Sequence, residues 1–319
     1  MGYGMGGHLG LCFQQSFGTA YTSSYHWLPI LNESLVEAKP LLVSEAMHGR
    51  YEEGDIFQGV NEIGGEIVAE ADPISLGAFL KAWFGQSSGT LTGSTYVHDF
   101  VPRTSDFDAY AAVPPVTIEV YRDAGSASQY SDMLLNELNI EIAHGAIIKY
   151  TGTFIGAGFS KVAKSSPVYL TGSEFTWDQS SIEVGSAACE DISQLSVKLS
   201  NNLEAKGTLD GTRVPNRIKR AGFRTIEISG TMLFVSDTQF DLFRAQTTQA
   251  LVVTVTGQDV SSGYSAYLRM EFPKVQYGEF PINIGGPGMV EVPFTAKARY
   301  LVSSLTMCKF SMQNTQSIY

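Results

Sequence analysis

The sequence predicts a mainly β fold made of two similar halves, each with one short α-helix. Three observations predict it. Segments that alternate apolar and polar residues are frequent, only two stretches have the apolar spacing of a helix, and the order of these elements recurs after roughly 160 residues. The composition agrees, because the 32 glycines, 15 tyrosines and 18 phenylalanines among 319 residues are typical of β-rich proteins with many turns.

The predicted strands place apolar residues on one face and Glu, Thr, Ser or Lys on the other, as in sheets with one buried face. They are the segments 35–37, 66–71, 116–121, 138–143, 195–200, 225–235, 251–257, 267–272 and 290–298.

The first predicted helix lies in DPISLGAFLKAWFG. Asp72 can cap it, Pro73 suits the first helical position, and Gly85 can end it. Its apolar stripe consists of Leu76, Phe79, Leu80 and Trp83.

The second predicted helix lies in SDTQFDLFRAQ. Ser236 or Asp237 can cap it, and Phe240 and Phe243 face inward. Each helix directly follows a predicted strand, so the two helices occupy equivalent places in a repeat.

Aligning the two helices also aligns the strands before them, GEIVAEAD (65–72) over SGTMLFVS (229–236). The strands after the helices correspond as well, and a long loop precedes each aligned strand. The repeat predicts two domains with a boundary near SSPVYLTGSEF. The expected division is an N-terminal arm at 1–25, a first domain at 26–165, a second domain at 166–300 and a C-terminal arm at 301–319.

The opening segment MGYGMGGHLG has the glycine spacing of a dinucleotide-binding loop, at Gly2, Gly4 and Gly7. Such a loop needs a strand before it and a helix after it, so that free backbone N–H groups point at the phosphates. Here the following residues are aromatic, β-branched and turn-forming. We therefore expect a glycine-rich arm and no cofactor.

The residue types of catalytic and metal sites occur without the required spacings. The five histidines do not stand at helical ligand spacing, and Cys12, Cys189 and Cys308 form no CxxC pair. The sequence has no nucleophile elbow and no phosphate loop. We expect neither an enzyme nor a metal site, and no membrane insertion, because no long apolar segment occurs.

Charge is concentrated in two long loops of opposite sign at equivalent places in the repeat. The overall formal charge of −11 disfavours binding to nucleic acid phosphates. If copies of the chain associate, such loops would meet at each junction, so we treat them as candidate contacts within or between rings of subunits. The alternatives are solvated loops and a basic nucleic-acid patch. The candidates are Glu45, Glu52, Glu53, Asp55 and Glu62 in the first loop and Arg213, Arg217, Lys219, Arg220 and Arg224 in the second.

A succession of segments covers nearly the whole chain: CFQQSFGTAYT before WLPILNESL, GVNEIGGEIVAEADPISLGAFLKAWFG, TYVHDFVP, VTIEVYRD, YTGTFIGAGFSKV, SVKLSNNLEA and GPGMVEVPFTAKA. Each segment is an ordinary strand or turn pattern. Their order resembles the tail tube proteins of long-tailed bacteriophages with a flexible, non-contractile tail, in a form with a duplicated domain.

The resemblance implies two tail-tube-like β-sandwich or barrel domains whose sheets join those of neighbours into a closed ring. Stacked rings would form the phage tail tube, which conducts double-stranded DNA during infection, without catalysis. A duplicated chain would close as a homotrimer with pseudo-sixfold symmetry. The implied partners are further copies of the chain, the tail tip or initiator, the tape measure protein and the tail terminator. The implied location is the virion, after assembly in the host bacterial cytoplasm.

A polar, glutamate-containing channel wall would give DNA phosphates no binding point. The candidate lumen-facing residues, taken from strand faces opposite the apolar core, are Glu66, Glu70, Glu119, Glu137 and Glu141.

Two other interpretations stay open. A soluble β-sandwich module could bind carbohydrate through Trp27 and Trp177, although large aromatic residues are more often buried. The chain could also form the tube of a contractile tail or secretion machine.

Overall fold

The computed structural model describes residues 2–49, 51–85, 87–103, 113–170, 172–261, 263–284 and 286–319. The chain is mainly β, as the sequence predicts, because apolar and polar side chains alternate along most segments. The α-helices of the described residues are α1 (Ser75–Phe84) and α2 (Thr238–Arg244). Short 3₁₀ turns lie at Gly4–Gly6 and Trp177–Gln179.

The strands are numbered in chain order. In the first half they are β1 (His8–Phe13), β2 (His26–Leu28), β3 (Asn32–Glu33), β4 (Val36–Ala38), β5 (Leu41–Val43), β6 (Ile56–Gln58), β7 (Glu62–Glu70), β8 (Ser88–Thr92), β9 (Thr95–Phe100), β10 (Val116–Tyr121), β11 (Ala127–Ala143), β12 (Lys149–Gly156) and β13 (Gly158–Val162). In the second half they are β14 (Ser180–Val184), β15 (Ala187–Ala188), β16 (Ile192–Ser200), β17 (Leu203–Lys206), β18 (Arg217–Arg220), β19 (Thr225–Leu233), β20 (Gln249–Ser261), β21 (Tyr264–Glu279), β22 (Glu291–Ala298) and β23 (Lys309–Asn314).

Eight strands form one continuous antiparallel sheet, which we call the long sheet. Its order is β4, β7, β12, β11, β16, β19, β22 and β21, and β3 extends the β4 edge. The first four strands and the last four follow the same order along the chain, so the two halves repeat one topology. The halves meet where β11 pairs with β16, with Ile140 opposite Val197.

The strand alignment expected from the sequence is displaced by one residue. It matches Ile67, which is buried, with Thr231, which is half-buried. Side chains alternate between the faces of a strand, so a shift of one residue exchanges the buried and polar faces. β7 and β19 end the same distance before α1 and α2, and matching the strands by that distance places buried Ala69 on buried Met232.

A second layer completes each half. The first part of β11 pairs with β10 and β13, and β10 pairs with β1. The first part of β21 likewise pairs with β20 and β23. β14 adds to β20, and β9 adds to β23. One apolar cluster joins the layers, with members such as Ile67 and Phe154 in the long sheet and Leu9 and Ile118 in the second layer.

Helix α1 lies inside this core. Lys81 is its one residue that is not buried. The Asp72 carboxylate accepts hydrogen bonds from the backbone N–H groups of Ile74 (2.8 Å) and Ser75 (3.0 Å). Gly85 follows the helix with φ of 82°, a left-handed conformation that glycine adopts without strain. The predicted cap and stop of this helix are confirmed.

Helix α2 is less deeply placed, and none of its residues is fully buried. It begins at the predicted position, but neither Ser236 nor Asp237 caps it. Asp237 makes no side-chain cap bond, and the Ser236 hydroxyl bonds the Thr238 hydroxyl (3.1 Å) instead of a backbone N–H. Phe240 and Phe243 do face inward, where their ring centroids lie 6.1 Å and 6.3 Å from that of Phe280.

The segments predicted as arms contain strands of the second layer. In the segment 1–25, β1 is buried, with Leu9 and Leu11 at 0% exposure. In the segment 301–319, β23 pairs with β21 of the second half and with β9 of the first half. The description of these two strands as arms is therefore wrong, because their apolar side chains belong to the core. The boundaries at 26–165 and 166–300 stay a prediction.

The glycines of the opening segment form the turn at Gly4–Gly6, and strand β1 follows them. A phosphate-binding loop would be followed by a helix. The segment is attached to the second layer by a bond from the Tyr3 N–H to Asp123 Oδ2, 2.9 Å long.

Two histidines packed near Tyr319 should make the stability depend on pH. Burial lowers the pKa of His26, and the charge of Lys81 lowers it further. Burial also lowers the pKa of His98, although its Nε2–H bond to the Gln316 carbonyl (2.7 Å) opposes the shift. As the pH falls through the unfolded value of about 6.5, the unfolded chain therefore binds more protons than the folded chain.

We expect the urea concentration at the midpoint of unfolding to decrease when the pH is lowered from about 7.5 to about 5.5. The double variant His26→Gln, His98→Gln should show a smaller fall over the same interval. An equal fall in the variant would assign the pH dependence to other groups.

Candidate functional site

One face of the long sheet carries mostly polar side chains across its central strands, with Val68 of β7 among them, and we call it the polar face. The opposite face of the same strands carries core residues such as Ile67, Leu138 and Val197. The registers place these side chains together on the polar face: Glu66 and Glu70 of β7, Lys149, Thr151 and Thr153 of β12, Glu137, Asn139 and Glu141 of β11, Ser196, Lys198 and Ser200 of β16, Thr225, Glu227 and Ser229 of β19, and Thr295 and Lys297 of β22.

Four of the five glutamates expected to face a lumen share the polar face. Thr153 of β12 lies between Glu66 and Glu137 on the neighbouring strands, and Lys149 lies between Glu70 and Glu141. Antiparallel pairing of β7, β12 and β11 thus assembles carboxylates that are far apart in the sequence.

Glu119 does not belong to this group, and its expected place on a lumen is wrong. It lies on β10 in the second layer and is 2% exposed. Its carboxylate accepts bonds from the Ser165 N–H and Oγ, both at 2.8 Å, and lies 3.6 Å from His8 Nε2. Alternation along β10 places Glu119 on the face opposite an apolar side chain, but His8 of β1 and Ser165 after β13 cover that face too.

The sequence analysis missed the lysines of the polar face. Lys198 Nζ lies 2.9 Å from Glu137, and Lys297 Nζ lies 2.7 Å from Glu227. Lys149 stands between two glutamates, as described above. Exposed pairs of this kind add little stability. The pairs instead affect the charge of the surface, because each lysine of the polar face has a carboxylate beside it that balances its positive charge.

The acidic candidates lie in and beside the β5–β6 hairpin. Glu45, Glu52, Glu53 and Asp55 are exposed in its loop, and Glu62 is exposed at the start of β7. Among the described residues no ion pair joins these carboxylates to the basic candidates.

The basic candidates lie in and beside the β17–β18 hairpin, which reaches back to the base of the first hairpin. Arg213 Nη1 donates to Gln58 Oε1 at 3.1 Å, and the Arg213 carbonyl accepts from the Asn61 N–H at 2.7 Å. Arg217 and Lys219 are exposed on β18. The two loops therefore meet within one chain, through polar bonds that involve Arg213.

Arg220 and Arg224 turn inward instead of outward. Both donate to the Oδ1 of Asn201, at 3.1 Å and 3.2 Å, and Asn201 is fully buried. The Arg224 guanidinium also lies 5.0 Å from the ring centroid of Trp83 at the end of α1. Burial, together with the charge of Arg220, lowers the pKa of Arg224 to about 10. Arg220 thus joins the second hairpin to Asn201, and the Nδ2 of Asn201 donates to the Trp83 and Leu135 carbonyls of the first half.

The two tryptophans considered for carbohydrate binding pack in separate groups of rings. Trp27 lies against His8 and Tyr25, with centroid distances of 5.2 Å and 5.1 Å. Trp177 lies 4.1 Å from the ring of His144. Each indole thus packs against neighbouring rings of the same chain, and Trp177 keeps 37% of its surface exposed.

No helix among the described residues is both long and apolar enough to span a membrane. The same part of the chain contains no group of His, Cys, Asp and Glu side chains suited to holding a metal ion.

Comparison with known proteins identifies one family. The family model described as phage tail tube protein matches residues 4–298, which is nearly the whole chain. No curated protein sequence matches the chain significantly.

Proposed function

The chain belongs to the phage tail tube protein family, and from this premise we propose that three copies close into a ring, that rings stack into a tube, and that the polar face lines its channel. The family makes the chain a structural component of the virion tail. In this proposal the tube conducts double-stranded DNA, and its ends and interior contact the tail tip or initiator, the terminator and the tape measure protein. Assembly takes place in the host cytoplasm.

The observation that carries the proposal is the unfinished long sheet. Within the chain, β11 of the first half pairs with β16 of the second half. By the shared strand order, β21 corresponds to β11, and β3 with β4 corresponds to β16. No described strand pairs with the outer side of β3 and β4, or with the outer side of β21 at 276–279.

Pairing β21 of one copy with β3 and β4 of the next would repeat the junction that already exists inside the chain. Closure then removes both open edges, which are otherwise sites of aggregation. Three copies give six similar junctions, three within chains and three between them, and this is the pseudo-sixfold ring.

The β3–β4 edge is held in an extended form ready for such pairing. Arg122 Nε and Nη2 bind the Glu33 carboxylate at 2.7 Å and 2.9 Å, and Nη2 also bonds the Leu35 carbonyl at 2.9 Å. Glu33 and Leu195 hold equivalent positions opposite β7 and β19, since Glu33 pairs with Ile67 and Leu195 with Gly230. An inward-facing charge on an edge strand limits indiscriminate pairing.

The polar face suits a channel through which DNA slides without binding. Hydroxyl, amide and carboxylate groups cover it, and Lys198 and Lys297 are paired with glutamates. A protein that holds DNA neutralises phosphates with unpaired cations. The chain as a whole carries a formal charge of −11, which disfavours such binding further.

The exposed charges outside the polar face are the proposed contacts within or between rings. Arg213, Arg217 and Lys219, with Glu45, Glu52, Glu53, Asp55 and Glu62, are available for contacts within or between rings.

The experiment that tests the proposal is electron microscopy of the purified chain at high concentration, with mass photometry of the same sample. We expect hollow tubes and rings with the mass of three chains. Rings of six chains would keep the tube and contradict the pseudo-sixfold trimer, and an assembly without a central channel would contradict the tube.

A charge-reversal variant tests the role of the polar face. We expect Glu66→Lys, Glu141→Lys to form tubes that retain short duplex DNA in co-sedimentation at low salt, with the bound fraction falling steeply as salt rises. Tubes of the unchanged chain should release the DNA. The matched control places the same two charges outside the polar face and outside the candidate ring contacts, at exposed Glu174→Lys and Glu183→Lys. DNA retention by both variants alike would assign the effect to net charge.

A further inference from the structure

The β5–β6 hairpin exposes apolar side chains on both of its faces. Leu41, Val43 and Ile56 lie on one face and Leu42 and Phe57 on the other, and all five are exposed. Exposed apolar groups of this extent mark an interaction site. The partner of this hairpin can be inferred from its counterpart in the second half.

The β17–β18 hairpin is that counterpart, at a constant offset of 162 residues. Leu41 corresponds to Leu203 and Ile56 to Ile218, because both hairpins pair in the same register. The turn glycines also correspond, Gly49 with φ of 67° and Gly211 with φ of 80°.

The hydrogen bonds that close the two hairpins correspond as well. The Gly59 N–H donates to the Pro40 carbonyl at 2.7 Å, and the Ala221 N–H donates to the Asn202 carbonyl at 2.8 Å. The two hairpins are therefore the same element, repeated.

Their environments differ. Leu203 is 6% exposed and Ile218 is 0% exposed, because they pack on first-half residues that include Val113, Leu134 and Ala157. Leu41 is 63% exposed and Ile56 is 55% exposed. The second hairpin has the first half as its platform, and the first hairpin has no equivalent platform within the described chain.

We propose that the β5–β6 hairpin docks on the second half of the next copy in the ring, in the way that β17–β18 docks on the first half of its own chain. This inference rests on the ring of the proposed function, since only the next copy places a second half beside the first hairpin. Leu41, Val43 and Ile56 form the docking face.

The receiving surface follows from the same correspondence. Tyr150 of β12 pairs with Ala69, and Val292 of β22 pairs with Met232, which is the counterpart of Ala69. Tyr150 and Val292 therefore correspond. Counting along the strands from these positions, Ile155 of β12 corresponds to Lys297 of β22. Ile155 packs against the second hairpin, so Lys297 of the next copy lies against the first hairpin.

The charges at this surface are complementary. Gly207 and Pro215 of the second hairpin line a groove together with Ile155 and Leu203. Their counterparts in the first hairpin are Glu45 and Glu53, which face a surface where Lys297, paired with Glu227 in the single chain, replaces Ile155. An apolar contact within the chain thus becomes a contact between opposite charges at the junction between copies, which favours the correct partner.

The tip of the hairpin supplies a further match. The Arg213 carbonyl of the second hairpin accepts from Asn61 in the segment that follows the first hairpin. The counterpart of Arg213 is Tyr51, and the segment after the second hairpin contains Phe223. Both rings are almost fully exposed in the single chain, and docking brings them together.

Cysteine cross-linking of assembled tubes tests the docking. The variant Leu41→Cys, Lys297→Cys is treated with a short bifunctional maleimide and analysed on a denaturing gel. Leu203→Cys, Ile155→Cys is the internal reference, because the same contact exists within one chain. Phe57→Cys, Lys297→Cys is the matched control, with the cysteine on the other face of the hairpin. The parent chain gives the background of its own cysteines, of which Cys12 and Cys308 are buried.

We expect the Leu41→Cys, Lys297→Cys tubes to give covalent species that end at three chains, several-fold above the Phe57→Cys control. The reference variant should give a cross-link within single chains. Tubes that assemble but give no excess over the control contradict the docking and leave the ring intact. A ladder that extends beyond three chains shows contacts between rings and also contradicts it. If the parent chain forms no ring, the proposed function fails and the docking fails with it.

Discussion

Replacing Phe79 by alanine is expected to lower the free energy of unfolding of the single chain by about 3–5 kcal/mol. Phe79 is fully buried on α1, with its ring centroid 4.8 Å from that of Tyr150 and 5.7 Å from that of Phe154. The helix lies between sheet layers, so the surrounding strands cannot close the cavity that the ring leaves. Urea unfolding of the monomeric chain, followed by circular dichroism, measures the loss.

Phe57→Ala is the matched control for this prediction. It removes the same ring from an exposed position and should change the free energy of unfolding by no more than about 0.5 kcal/mol. Equal losses in the two variants would show that α1 does not hold the core together.

Gly152 offers a second check on the same contact. A Cβ at this position would meet the Phe79 ring, so Gly152→Ala alone should destabilise the chain. In the Phe79→Ala background the added methyl group occupies part of the vacated space. The two changes should therefore cost less together than the sum of their separate costs, and additive costs would place the two residues out of contact.

Ile218→Ala and Ile56→Ala are expected to affect different properties, although the two residues are counterparts: the first should affect the stability of the single chain, and the second its assembly. Ile218 is fully buried, and its truncation should lower the free energy of unfolding by about 2–5 kcal/mol. Ile56 is exposed in the single chain, so its truncation should leave that free energy within about 0.5 kcal/mol and should instead reduce the yield of tubes.

Unfolding of the monomer and sedimentation of assembled tubes measure the two effects separately. A stability loss in Ile56→Ala as large as that in Ile218→Ala would mean that the first hairpin is already docked in the single chain. Unreduced tube yield in Ile56→Ala would mean that its exposed face has no partner in the tube.

Helix α1 was predictable from the sequence because its signals are local. The Asp72 cap, the apolar stripe and Gly85 act within a few residues of one another, and all three hold in the structure. The cap of α2 was not predictable in the same way, since Ser236 and Asp237 satisfy the residue preference without making the bond.

The glutamates expected to face a lumen show the same difference between what local sequence predicts and what distant contacts decide. Alternation along β7 and β11 indicated that Glu66 and Glu137 lie opposite core residues, and they do. The same rule placed Glu119 on a channel, although Ser165 and His8 cover it. Alternation predicts on which side of the strand a side chain lies, but it does not predict which residues cover that side.

The charged loops show a similar difference. The sequence alone determined their opposite signs and their equivalent places in the repeat, because both follow from residue identity and order. It could not separate Arg217, which is exposed, from Arg220 and Arg224, which bind Asn201 inside the chain.

By itself, then, the sequence determined the strand-rich character, the duplicated order of elements, helix α1 and the polarity of each strand face, because these depend on residues close together in the chain. Only the tertiary structure decided the strand order, the junction of β11 with β16, the open edges and the contrast between a docked and an exposed hairpin. Those features depend on contacts such as Ile140 with Val197, which no local preference encodes. They form because burying apolar surface between distant segments outweighs the entropy lost in bringing them together.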